Sequence, residues 1–268
     1  VSEGVPEHNG GMMRQKQSVP CIALRFWRVL WVVLVVFVLA PSAYAACGPE
    51  ALGTARVLRL NPEAGARYGL KSYPETLPLM KGEVVLTFDD GPLPGPTDKI
   101  LASLADECVR ATFFLIGRNA KAAPGLVKRI AAAGHTLANH SMTHPWTMRD
   151  MPQEAAWQNI IEGRAAIEEA AGAKIAPFFR FPGFADTPAL LDALSRDTIA
   201  VFGADLWASD WNVMTPEAQL QLVLGRLDRA GRGIILFHDT KAQTAAMLPA
   251  FLRALKQRGY KVVHVVGE

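Results

Sequence analysis

From residue 82 to the end of the chain, short apolar, β-favouring runs alternate with stretches of helical spacing. The apolar runs predict strands at Val84–Phe88, Ala111–Ile116, His135–Asn139, Pro177–Phe181, Ile199–Gly203, Gly233–Phe237 and Tyr260–Val266. The stretches between them predict helices at Thr97–Glu107, Pro124–Ala133, Gln153–Ala171, Pro188–Arg196, Pro216–Ala230 and Ala245–Gln257. Local signals agree: Thr97 is a candidate cap, Pro124 opens a helix, and Gly134 and Gly172 follow helix ends. In the longest helix Ile160, Ile161 and Ile167 are expected to face inward. This alternation implies βα units and parallel strands. Seven such strands in a single domain favour a (β/α)7 barrel over an open sheet, with chemistry at the C-terminal ends of the strands.

Upstream of residue 82 the pattern fails. Residues 46–81 are rich in Pro, Gly and Arg with weak periodicity, and are expected to form an extended arm, ordered only in part. Further upstream, Arg14, Lys16, Arg25 and Arg28 precede an apolar run from Val29 to Ala40, then Pro41-Ser42-Ala43-Tyr44-Ala45. This is the layout of a secretory signal peptide, cut after Ala45. The run is shorter than the roughly 20 residues of a membrane span. Residues 1–45 therefore read as a leader, and the protein as secreted or periplasmic. The alternatives are an uncleaved anchor in the inner membrane, or a lipid at Cys47, which Tyr44 disfavours.

With 268 residues, 50% apolar and 20% charged, the chain suits one sizeable core. Its net charge of +3 is slight and several basic residues sit in the leader, so no nucleic-acid partner is implied. Of three cysteines, Cys21 falls in the leader. Cys47 and Cys108 are then expected to form a disulfide; a reduced, core Cys108 is the other reading.

Candidate chemistry gathers just past the predicted strands. Asp89-Asp90-Gly91-Pro92 ends the first. Two adjacent carboxylates there either cap a solvated turn, or one ligates a cation while the other stays free as a base. His140-Ser141-Met142-Thr143-His144 follows the third strand, and its spacing places both imidazoles on one side of a helical turn. With Asp90 they make two nitrogens and one oxygen, the ligand set of an open, catalytic zinc site. Arg180 ends the fourth strand, as a structural residue or as the partner that keeps Asp89 ionised. Asp210-Trp211 follows the fifth: Trp211 is core or a sugar-stacking wall beside an orienting acid. His238 ends the sixth, as a structural residue or a general acid. His135 and His264 read as structural.

Thr87–Pro92, His140–His144, Arg180–Pro182, Asp210-Trp211 and Leu236–His238 stand in the order of the five motifs of the polysaccharide deacetylases, carbohydrate esterase family 4. The chain from about residue 82 to 266 resembles this family, which includes nodulation-type chitooligosaccharide deacetylases. The resemblance implies a distorted (β/α) barrel acting as a metal-dependent deacetylase on acetylated sugars. It assigns Asp90, His140 and His144 to a divalent metal, zinc first and cobalt, nickel or manganese as alternatives. It makes Asp89 the base, His238 the acid, Arg180 and Asp210 their supports, and Pro182, Gly183, Trp211 and Leu236 the substrate contacts. The implied partner is an N-acetylated oligo- or polysaccharide. An O-acetyl esterase and an inert sugar-binding domain are the alternatives. Two positions depart from the family pattern. Gly183 stands where an aromatic ring is usual, which implies a wider or differently shaped site. Trp207 stands near the place of another acid, with Asp205 earlier.

Overall fold

The computed structural model describes residue 48 and residues 50–268. The leader, its expected cleavage site and Cys47 lie outside the described residues. Among those described, no helix is long and apolar enough to cross a membrane.

The stretch expected to be a partly ordered arm supplies two strands, β1 (Thr54–Leu60) and β2 (Arg67–Tyr68). The expected strands follow as β3 (Glu83–Asp89), β4 (Thr112–Leu115), β5 (Thr136–Asn139), β6 (Phe178–Phe179) and β7 (Ala200–Phe202). A further short strand, β8 (Leu206–Trp207), precedes β9 (Gly233–His238) and β10 (Lys261–Gly267). The helices are α1 (Pro96–Asp106), α2 (Gly117–Ala122), α3 (Pro124–Ala132), α4 (Gln153–Ala171), α5 (Pro188–Arg196), α6 (Pro216–Ala230) and α7 (Ala242–Gln257).

Every strand pairing is parallel, and one continuous path runs β8-β9-β3-β4-β5-β6-β7. Seven strands make this path, as expected, but β8 belongs to it and β10 does not. β10 pairs with β1 and touches β3 only at Glu83 and Val84. At the other end β7 takes β2 as its neighbour. The barrel is therefore distorted: among the described residues no ladder joins β7 to β8. Side chains span the gap. The Asp205 carboxylate accepts from the Leu70 and Ile234 amides and from Thr76 Oγ1, tying the arm to β9. That is why Asp205, an acid near the expected site, is a structural brace.

β3 is buried along its whole length. Val84, Leu86 and Phe88 pack in one cluster with Ile100, Leu104 and Phe251 of the surrounding helices. Val85 packs in another with Phe114, Phe178 and Phe202. Strand alternation therefore turns Val85, Thr87 and Asp89 toward the interior of the curved sheet. Phe88 stacks on Phe113 and Phe237, with ring centroids 5.1 and 5.5 Å away, so the strand that carries the acids is fixed by aromatic packing on both sides.

Three local expectations need correction. Thr97 is not the cap of α1; Gly95 is, and the Thr97 hydroxyl turns inward to donate to Asp239 Oδ2 at 2.7 Å. Ile161 is 37% exposed, because the buried stripe of α4 follows Ala156, Ile160, Gly163 and Ile167 instead. The histidine segment 140–144 is an irregular loop and no helical turn, with Ser141 and His144 both left-handed.

Candidate active site

Asp89 closes β3 and its Oδ1 accepts from Arg180 Nη1 at 2.6 Å. Arg180 follows β6 and is wholly buried. Three more of its donors go to Thr87 Oγ1 and the Phe202 and Gly203 carbonyls, and its guanidinium lies 4.2 Å from the Phe114 ring centre. A buried guanidinium keeps its charge and needs an anion; Asp89 provides it. Burial pushes the Asp89 carboxyl above the ordinary carboxylate range, and Arg180 pulls against that. The net effect is a carboxyl more basic than an ordinary one.

The turn after β3 sets Asp90 at φ 77°, with its carbonyl held by Asn119 Nδ2 at 2.7 Å. Its Oδ1 is buried without a hydrogen-bond partner. That oxygen lies 3.5 Å from His140 Nε2 and 3.2 Å from His144 Nε2. The three ligand atoms lie within 4.8 Å of one another. His140 Nδ1 pairs with the Arg180 carbonyl at 2.7 Å; as the donor there, it leaves an Nε2 lone pair facing Asp90. Burial lowers the His140 imidazole to about 3, so the ring is neutral, as a ligand must be. An orphaned carboxylate oxygen facing two imidazole nitrogens fits a divalent cation.

The histidine loop is held by residues that no motif indicated. The Asn159 side chain accepts from the Met142 and Thr143 amides, Asn139 Oδ1 accepts from Ser141 N, and Ser141 Oγ accepts from His144 N. Gly163 lets α4 approach: a Cβ there would lie 2.4 Å from the Ser141 carbonyl carbon. Asn139 at the end of β5, and Asn159 and Gly163 on α4, carry no readable chemical signal in a sequence; only the packing reveals them.

His238 closes β9. Its Nδ1 and its backbone amide meet the two oxygens of Asp210 at 2.7 and 2.8 Å. Thr244 Oγ1 adds a third hydrogen bond to Asp210. Burial alone would lower the His238 pKa; the Asp210 hydrogen bond and the carboxylate charges around it outweigh burial and lift it to about 9. Beside it Asp239 is fully buried against Gly91, and burial pushes its carboxyl up to about 7.

A cavity of about 290 Å³ opens above these groups, with Asp89, His140, His144, Leu236 and His238 at its base. Trp146, Phe181, Gly183, Phe184, Trp207 and Trp211 complete its lining, with the Phe184 and Trp207 ring centroids 6.1 Å apart. Pro182, expected to contact substrate, is buried and does not line the cavity. It starts the short turn Pro182–Phe184 that carries Gly183 and Phe184 there. A larger cleft of about 550 Å³, beside His135 and Lys174, gathers none of these groups. His135 and His264 are structural, bonded to Ala111 N and Thr136 Oγ1 respectively.

The parallel α/β sheet thus gathers acids and imidazoles where its strands end, the usual place of an active site in such folds. Residues 77–201 match the polysaccharide deacetylase family model. A chitooligosaccharide deacetylase of Rhizobium leguminosarum bv. trifolii is 35% identical over 196 residues, 67% of this chain and 88% of that one. A peptidoglycan-N-acetylglucosamine deacetylase of Bacillus cereus is 35% identical over 187 residues, 66% of each chain. A Bdellovibrio bacteriovorus peptidoglycan deacetylase superposes with a TM-score of 0.71 at 30% identity, over 82% of this chain and 61% of that one. The chain belongs to the polysaccharide deacetylase family of enzymes.

Proposed function

We propose that this protein removes N-acetyl groups from amino-sugar oligo- or polysaccharides, using a divalent metal held by Asp90, His140 and His144. The observation that carries the reading is the orphaned Asp90 Oδ1 facing two imidazole nitrogens between a carboxylate braced by Arg180 and an imidazole braced by Asp210. Relatives named for chitooligosaccharide and peptidoglycan deacetylation support it.

Asp90, His140 and His144 would hold the cation, zinc first and cobalt, nickel or manganese as alternatives, which would supply Lewis acidity toward the acetyl carbonyl and water. Asp89 takes the proton of the attacking water while Arg180 fixes its direction. The Gly183 backbone N–H is the proposed second donor to the developing oxyanion. Trp211 and Leu236 enclose the acetyl methyl. His238, held as an imidazolium by Asp210, protonates the departing nitrogen.

Acetate release from N-acetylglucosamine oligomers, with and without chelator and then with zinc restored, tests the reading. Chelator-sensitive release supports it. Release only from acetylated xylan would replace it with an O-acetyl esterase, and tight oligomer binding without any release would replace it with an inert sugar-binding domain.

We place the protein outside the cytoplasm by its leader, in the periplasm or secreted, with an inner-membrane anchor as the alternative. Mass spectrometry of the exported chain decides: a start at Ala46 supports cleavage, and an intact leader refutes it. The proposed Cys47–Cys108 disulfide predicts no titratable thiol at either position in the unreduced, denatured mature protein.

A further inference from the structure

Trp146 stands at the mouth of the cavity, its ring 66% exposed. So much apolar surface left in water contributes little to folding. Its position is nonetheless fixed. The indole meets the His144 imidazole edge to face, with centroids 4.5 Å apart. It also lies against Gly183, where a Cβ would sit 2.9 Å from Trp146 Cε3 and 3.3 Å from Cζ3. The indole thus takes the volume that a side chain at position 183 would fill. The lining also holds Trp207 and the half-exposed Trp211, with centroids 5.7 Å apart. The site is not widened by Gly183: a ring closes that side, and it comes from the loop after His144.

We propose that Trp146 is a sugar-stacking wall of the substrate site, matched to Gly183, and that it binds the pyranose ring neighbouring the acetylated sugar. The proposal deepens the deacetylase reading and rests on it. A pyranose presents C–H faces that pack on a flat aromatic surface while its hydroxyls stay in water. An exposed indole beside a mostly apolar cavity that also holds Asp89, His140, His144 and His238 offers that mixed chemistry. The wall selects for oligomers, because a single sugar with its acetyl group in the cavity leaves the outer face of Trp146 uncovered.

The test is oligomer binding and steady-state kinetics of the full chain with N-acetylglucosamine pentamer. W146A is expected to weaken binding and raise KM about tenfold, or ~1.4 kcal/mol, with a much smaller change in kcat. W146F is expected to recover most of the loss, which a purely electrostatic or misfolding effect would not. The pairing is tested by G183A in both backgrounds. The cost of Ala at a φ of 57° is common to both, so the cycle isolates the collision with the indole. G183A should weaken binding when Trp146 is present and add little in W146A. Pentamer affinity of W146A within about twofold of wild type overturns the wall. An equal cost of G183A in both backgrounds overturns the pairing. If the wild type binds pentamer but releases no acetate, the deacetylase reading fails and the binding data still decide the wall. If it neither binds nor releases, both fall.

Discussion

Asp210→Asn is the most informative single change, because it separates the acid role of His238 from its placement. Asparagine keeps the shape and one acceptor, but loses the charge that offsets burial of the imidazole. His238 should then fall from about 9 to its ordinary value or lower. At about pH 8 the protonated fraction drops from nearly complete to a few per cent, so kcat/KM should fall roughly thirtyfold. At about pH 6 that contribution shrinks below roughly twofold. The alkaline limb of the pH–rate profile therefore moves down by two units or more, as an order-of-magnitude figure. Stability carries the same sign. The folded-state pKa lies above the unfolded one, so the stabilisation, roughly 3 kcal/mol, is complete below about pH 6.5 and is lost as pH rises through about 9. D210N should unfold at lower urea than wild type at about pH 6, and the gap should close above about pH 9. An alkaline limb that stays in place in D210N, with wild-type rates at alkaline pH, would refute the assignment of His238 as acid under the control of Asp210.

Arg180→Met strips the buried Asp89 of its counter-ion and empties four hydrogen-bond partners, so urea unfolding should report a loss of roughly 3–5 kcal/mol, and a loss under about 1 kcal/mol would show the pair to be idle. Gly163→Ala drives a methyl group into the Ser141 carbonyl; metal retained after dialysis should fall together with roughly 1–3 kcal/mol of stability, and unchanged metal content would mean the loop is not set by this contact. Asn119→Ala removes the clamp on the Asp90 carbonyl, so metal affinity should drop about tenfold while stability moves by about 1 kcal/mol; unchanged affinity would show that Asp90 holds its left-handed geometry unaided.

From β3 onward the strands other than β8 were legible because their apolar runs are buried, and β3 and β9 end in polar residues that a core does not tolerate. The acids and imidazoles at those ends were legible for the same reason, and the fold brings Asp89, Asp90, His140, His144, Arg180, Asp210 and His238 together. β1 was not legible, and its residues say why. Arg56 stands on its inward face and Val57, 43% exposed, on its outward face, so the binary pattern is inverted at this pair before Leu58, Arg59 and Leu60 restore it. The inversion is tolerated because Glu83, almost wholly buried, accepts from Arg56 Nε and Nη2, both at 2.8 Å. β8 and α2 were too short for any period to show. Trp146 escaped because an exposed tryptophan one residue past a histidine-proline pair carries no pattern; its relation to Gly183 exists only in three dimensions.

The three acids of the rim differ in how far their oxygens are already used, and that difference suits three tasks. Asp210 is saturated: His238 takes both oxygens, and Thr244 adds to one. A saturated acceptor has little left to offer a substrate proton, and suits orientation. Asp89 is half used, with Oδ1 bonded to Arg180 and Oδ2 3.8 Å from His140 Nε2. One free oxygen on a fixed carboxylate suits proton transfer. Asp90 Oδ1 is buried with no hydrogen bond, and its residue is left-handed, as are Ser141 and His144. A non-glycine residue in that region costs on the order of 1 kcal/mol, and neighbours hold each of the three in place. Left-handed backbone at Asp90, Ser141 and His144 beside an unsatisfied oxygen suits a site that receives the proposed cation. A cation bound there would give that oxygen the partner it lacks.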